Sequence, residues 1–248
     1  MSLDIIAELM REFSIDGDIY APYRGIQPDE GYPDTHIDST CIKTVSDTIQ
    51  PTFWLEIGSM VGGSAIRTGR FFKGSGSTCR LVCIDPFCGS SDMWLWEKLH
   101  KEIGRWRYLN LKGGFPTIKE RFMSNICSAG LDDIVLPIQA TSLVGVDVLK
   151  RLHDLKKIST RPQVIYLDSA HIEKETFLEL EASWDLVESG GVLFGDDWNW
   201  DAVKNDVIKF SNTISVNENT KQSFLSRLPG CLVEGNVVLV GIHWFLFR

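Results

Sequence analysis

Three apolar runs, each ending in a glycine or an acid, constrain this chain more than any other feature. Phe53-Trp54-Leu55-Glu56-Ile57 stops at a turn, Gly58-Ser59-Met60-Val61-Gly62-Gly63-Ser64. Gln163-Val164-Ile165-Tyr166-Leu167 ends at Asp168, followed by Ser169-Ala170-His171. Val192-Leu193-Phe194 ends at Gly195-Asp196-Asp197-Trp198. Runs this short and this apolar read as strands covered on both faces, as in parallel sheets. If all three are parallel strands of one sheet, their carboxyl ends gather a glycine turn, three carboxylates and a histidine.

The intervening segments support that reading. Residues 4–12 predict a short amphipathic helix, and a second helix over 40–50 ends before Pro51. Between them, residues 14–40 hold Gly17, Pro22, Gly25, Pro28, Gly31 and Pro33 and read as a loop, a candidate flap. After the glycine turn a helix runs to Lys73-Gly74-Ser75-Gly76, and Leu81-Val82-Cys83-Ile84-Asp85 completes a βαβ unit. Residues 88–116 look like an insertion, rich in Trp94, Trp96, Trp106, Tyr108 and Phe115. It could wall a substrate pocket, or equally be a packed cap or an oligomer contact. Helices are expected at 117–129 and 143–155, with a strand over Ile134–Ile138 despite Pro137. Phe177, Leu180, Trp184 and Val187 mark one face of a helix stopped by Gly190-Gly191, and Val203, Val207 and Phe210 mark another. The C-terminal stretch reads as strands around a Glu234-Gly235-Asn236 turn. Alternating strands and helices imply a doubly wound α/β fold with helices on both faces. Residues 1–50 then form a helical and loop cap, and 51–248 the main domain.

Composition excludes some partners. A net charge of -8 and a pI near 5.2, with no long Lys/Arg run, argue against a nucleic-acid partner. The longest strongly apolar stretch, Val237 to Phe247, is broken by His243 and too short to span a bilayer. The N-terminus has no basic start before an apolar core, so a cytoplasmic protein with no membrane partner is expected. The six cysteines form no C-x-x-C pair, which argues against structural zinc and for free thiols.

The spacing Gly58-x-x-x-Gly62-Gly63 is not the dinucleotide fingerprint G-x-G-x-x-G, yet it lets a ligand approach the backbone closely. Asp85, ending the next strand, can accept hydrogen bonds from two ribose hydroxyls. The competing reading is a tight strand-to-helix connection. Adjacent strands lie ~4.8 Å apart, so Asp168 and Asp196, joined by Asp197, can converge on one cation. Oxygen ligands suit Mg²⁺ or Ca²⁺. The alternative is that these acids cap helices or line a solvated rim. His171, three residues after Asp168, is a candidate general base or a structural histidine.

Glu56-x-Gly58-x-x-x-Gly62-Gly63-Ser64 followed by Asp85 resembles the first two motifs of class I S-adenosylmethionine-dependent methyltransferases. Asp168-Ser169-Ala170-His171 and Gly190-Gly191-Val192-Leu193-Phe194-Gly195-Asp196-Asp197-Trp198 extend the likeness to metal-dependent small-molecule O-methyltransferases. The nearest group contains macrolide-sugar and aminocoumarin-sugar O-methyltransferases and cephalosporin-hydroxylase-like proteins. The resemblance covers roughly residues 50–212. It implies a Rossmann-like, mostly parallel seven-stranded sheet, with S-adenosylmethionine and Mg²⁺ or another divalent cation. It implies cofactor contacts from Glu56, Gly58, Met60, Gly62, Ser64, Asp85, Ser142 and Asp168. Gly58, Met60 and Ser64 would lie along the methionine, Asp85 at the ribose and Ser142 at the adenine. Metal ligands would be Asp168, Asp196 and Asp197, with His171 as base. The expected activity is methyl transfer to a hydroxyl of a sugar or secondary metabolite, in a chain that could be a homo-oligomer. The alternatives are a hydroxylase-like or other enzyme on the same fold, or a non-catalytic cofactor-binding protein.

Overall fold

The computed structural model describes residues 4–26, 37–91, 93–94, 108–169 and 171–248. Trp96, Trp106, Pro28, Gly31, Pro33 and Ala170 lie outside them. In chain order the strands are β1 (Phe53–Ile57), β2 (Arg80–Asp85), β3 (Val135–Gln139), β4 (Val164–Leu167), β5 (Val192–Gly195), β6 (Leu232–Glu234), β7 (Val237–Val240) and β8 (His243–Phe247). The helices are α1 (Ile5–Glu12), α2 (Ser39–Ile49), α3 (Gly63–Ser75), α4 (Ile118–Ser128), α5 (Ser142–Asp154), α6 (Glu175–Leu186), α7 (Asp201–Ser211) and α8 (Glu218–Arg227).

All eight strands join one sheet in the order β3-β2-β1-β4-β5-β8-β7-β6. β1 to β5 run parallel, and β8 pairs antiparallel with both β5 and β7. β7 therefore points the same way as β1 to β5. The doubly wound, mostly parallel sheet is as expected. It has one strand more than the expected seven, because the three-residue β6 adds to β7 at the edge. Pro137 is tolerated because β3 is the opposite edge strand, where a missing N–H faces no partner.

Strand alternation sorts the core into two layers. On one face Trp54, Leu81, Val164, Tyr166, Val192, Phe194, Phe245 and Phe247 pack with apolar residues of α2, α3, α4 and α8. On the other Leu55, Val82, Ile84, Ile165, Leu193 and Leu246 meet residues of α1, α5, α6 and α7. The N-terminal segment expected as a cap thus supplies a helix to each face, through Ile5 and Leu9 on one and Ile42 and Val45 on the other. The caps are local: Asp4 accepts from the Ile6 N–H at the start of α1, and Gln50 ends α2 at φ 51 before Pro51. The α6 start is capped from another helix. Buried Asp206 of α7 accepts the Lys174 and Phe177 N–H groups at 2.8 and 3.1 Å.

Aromatic rings dominate the first layer. Phe194 stacks on Phe245 at 5.0 Å and meets Tyr166 at 5.0 Å and Trp54 edge-on at 5.6 Å. Its side chain is fully buried. Phe194→Ala is expected to remove about 3–5 kcal/mol of stability by leaving a cavity the sheet cannot close. Urea unfolding of the variant checks this, and a loss below about 1 kcal/mol would contradict the packing account.

Candidate active site at the carboxyl ends of the strands

Parallel pairing in register brings the functional segments to one edge. Ile57 stands opposite Ile84 and Leu167, and Leu167 opposite Gly195. Gly58, Asp85, Asp168 and Asp196 therefore emerge side by side. The chain turns outward in both directions from β1 and β4, which is where open α/β sheets bind ligands.

The glycine turn is held from three sides. The Gly58 N–H donates to Ile84 O at 2.9 Å, and Gly58 has φ 90. A Cβ at Gly58 would stand 2.0 Å from the Asp168 carbonyl oxygen, so only glycine lets the β1 turn meet the end of β4. The Met60 N–H donates to Asp85 Oδ2 at 2.7 Å, and the other Asp85 oxygen accepts the Phe87 N–H. Burial pushes the Asp85 carboxyl up despite these hydrogen bonds. Gly62, at φ 91, precedes α3 with the Phe122 ring close against it.

The expected cofactor residues divide into two sets. Gly58 and Met60 are half-buried on the turn, with Asp85 at its side. Glu56, Gly62 and Ser64 are buried beneath it. Ser64 Oγ donates to Glu56 Oε1 at 2.8 Å, so these two side chains brace the turn from below. Full burial pushes the Glu56 carboxyl up to about 7. Ser142 opens α5 and lies near Glu179 of α6. Glu179 is buried and accepts from Ser169 Oγ at 2.8 Å; burial raises its pKa while the two serines hold it down.

The acids converge around His171. Its Nε2 lies 2.6 Å from Asp197 Oδ2. One ligand atom each from Asp168, His171 and Asp197 falls within 4.8 Å of the others. Asp196, expected in the metal set, stands outside that trio. Its side chain is buried, and its backbone carbonyl accepts the Trp244 indole N–H at 2.9 Å. A small pocket is lined by Asp168, Ser169, His171, Thr176, Asp196 and Asp197. Burial, then the negative charges of Asp196 and Asp197, push the Asp168 carboxyl well above the usual range. Burial and the Asp197 charge do the same to Asp196, partly offset by His171. Clustered carboxylates that resist ionising would ionise beside a cation, so this donor set fits a divalent metal.

Glu179, Thr176 and Trp200 were not foreseen as parts of the site. A signal for the first two existed. Thr176, Glu179 and Ser183 recur at helical spacing and are all buried, a polar stripe alongside the apolar one. The Trp200 ring meets His171 at 4.8 Å, a contact that no spacing announces.

The sequence profile of a methyltransferase domain family matches residues 55–198, more than half of the chain. Among solved structures, the O-methyltransferase NovP superposes with a TM-score of 0.52 at 13% identity, covering 88% of this chain and 83% of that one. The calicheamicin methyltransferase CalS11 superposes with a TM-score of 0.50 at 15% identity, covering 84% and 77%. At these identities the likeness is one of fold. No curated protein matches the chain.

The buried Glu56 carries a pH signature. Its folded-state pKa is raised from 4.5 to about 7, so its contribution to stability is full below 4.5 and is lost as the pH rises through about 7. Glu56→Gln removes that slope. The stability of the variant relative to the natural chain is expected to rise by on the order of 3 kcal/mol between acidic and mildly alkaline pH. Parallel denaturation curves at both extremes would contradict the assignment.

Proposed function

We propose that this chain, which belongs to the methyltransferase domain family, transfers a methyl group from S-adenosylmethionine to a hydroxyl of a small molecule, assisted by a divalent cation. The observation that carries this reading is the meeting at one sheet edge of the glycine turn with Asp85 and of the Asp168, His171 and Asp197 group. The first suits a nucleoside-bearing cofactor and the second suits an acceptor hydroxyl. The neighbours NovP and CalS11 are named as an O-methyltransferase and a calicheamicin methyltransferase, which supports an oxygen of a small molecule as acceptor; a sugar or secondary-metabolite hydroxyl is the acceptor we propose. Among the described residues no helix is long and apolar enough to cross a membrane.

Bound S-adenosylmethionine supplies a methyl group on a sulfonium, open to in-line attack by an oxygen. The half-exposed backbone at Gly58 and Met60 would border its methionine portion. Asp85, whose oxygens already hold two backbone N–H groups, has remaining lone pairs for ribose hydroxyls. Ser142, at the start of α5, would lie at the adenine.

Asp168 and Asp197, with Asp196 beside them, would hold a cation, which would lower the pKa of an acceptor hydroxyl bound to it. Mg²⁺ or another oxygen-preferring divalent ion suits these carboxylates, and His171 keeps its lone pair. His171 then takes the hydroxyl proton. In the neutral tautomer with Nε2–H toward Asp197, the lone pair lies on Nδ1, which is the accepting nitrogen. Asp197 fixes that tautomer and stabilises the imidazolium that forms. Holding cofactor, acceptor and base in line supplies much of the acceleration.

Radiolabelled methyl transfer to a panel of hydroxylated sugars and phenols, with Mg²⁺ and with a chelator, tests the reading. Transfer to an oxygen is expected, lost on chelation and restored by Mg²⁺. His171→Ala is expected to lower kcat by about 100- to 10,000-fold with little change in cofactor affinity. Transfer unaffected by chelation would overturn the metal's role. Full activity in His171→Ala would overturn the base.

A further inference from the structure

The segment Asp197-Trp198-Asn199-Trp200 delivers two different contacts to one imidazole. Asp197 sits at φ 58, a left-handed conformation that aspartate tolerates better than most non-glycine residues, and directs its carboxylate to His171 Nε2 at 2.6 Å. Three residues on, the Trp200 N–H donates to the Asp197 carbonyl at 2.8 Å, closing the turn and tying the two residues together. Trp200 is also the residue before α7, and its carbonyl accepts the Lys204 N–H at 2.9 Å. Its indole ring meets the His171 ring at 4.8 Å with 44° between planes.

A single hydrogen bond fixes the direction of one ring nitrogen but leaves the ring free to rotate about the N–H···O axis. A second contact on the face of the ring removes that freedom. We propose that Trp200 is a positioning residue which, with Asp197, holds the His171 ring in one orientation and one tautomer. Its importance to catalysis rests on the reading of His171 as the base, whereas the clamp itself stands on geometry alone. Both contacts come from one hydrogen-bonded turn, so the positions of Asp197 and Trp200 are tied together.

Nuclear magnetic resonance of the full chain with ¹⁵N-labelled histidine tests this, in chelator at alkaline pH where the imidazole is neutral. In the natural chain, nuclear Overhauser contacts are expected between the His171 ring and the Trp200 indole, with the nitrogen shifts of a single Nε2–H tautomer. Trp200→Phe is expected to keep that tautomer. Trp200→Leu is expected to weaken the preference by about two- to tenfold, the range carried by an aromatic pair. A merely structural role would lower the unfolding temperature of Trp200→Leu without moving the nitrogen shifts, and unchanged shifts would overturn the proposal. Absence of the His171–Trp200 contacts in the natural chain would overturn it without any variant. Full turnover in His171→Ala together with an intact clamp would instead remove the base assignment and leave the positioning result standing.

Discussion

The close approach of Gly58 to the Asp168 carbonyl is the constraint on which the rest of the site depends. A Cβ would stand 2.0 Å from that oxygen, so the turn after β1 and the loop after β4 share space that no side chain could occupy. Because of that contact, the backbone turn suited to a cofactor lies directly against the acid-and-histidine loop suited to an acceptor. Asp85 locks the turn from the β2 side through the Met60 N–H, and the Glu56–Ser64 pair locks it from beneath. At the end of β5 the same logic applies. A Cβ at Gly195 would stand 2.4 Å from Leu167 O and 2.5 Å from the Trp244 ring, so glycine is again what lets neighbouring elements close.

Electrostatics oppose this arrangement. Asp168, Asp196 and Asp197 gather in a partly desolvated pocket whose described ionisable partners include one histidine. Two of these carboxyls are driven toward their protonated forms, first by burial and then by neighbouring carboxylates, Asp196 and Asp197 acting on Asp168 and Asp197 on Asp196. Such a cluster costs folding free energy at neutral pH, and a fold that retains it has a use for it. A cation removes the repulsion and gives the acids a common task. The left-handed Asp197 backbone is a second local cost in the same place.

Much of this was legible in the sequence, and the exceptions have physical causes. Strands buried on both faces announce themselves as apolar runs, and the glycines and acids at their ends mark the binding edge. Helix α8 went unseen because its buried face consists of Lys221 and Phe224, too little for a periodic signal. β6 was legible only through the Glu234-Gly235-Asn236 turn that follows it, because its three residues are exposed and it exists by pairing with β7. Side-chain direction was the harder problem. Glu56 and Ser64 have the right spacing for ligand contacts, yet strand alternation turns Glu56 into the layer below the turn. Asp196 and Asp197 are adjacent in sequence, and the left-handed Asp197 backbone is what turns the Asp197 carboxylate to His171 Nε2. Contacts such as His171 with Trp200 depend on how a turn closes and leave no mark in residue spacing.

Methyl transfer depends first on cofactor binding at the carboxyl edge of the sheet. Calorimetric titration of the chain with S-adenosylmethionine, beside a folded Asp85→Asn variant, tests this most directly. Micromolar binding is expected, weakening by about ten- to hundredfold when the carboxylate can no longer accept two charged hydrogen bonds. No heat of binding, or equal affinity in both proteins, would contradict it and leave the glycine turn as a connection between a strand and a helix.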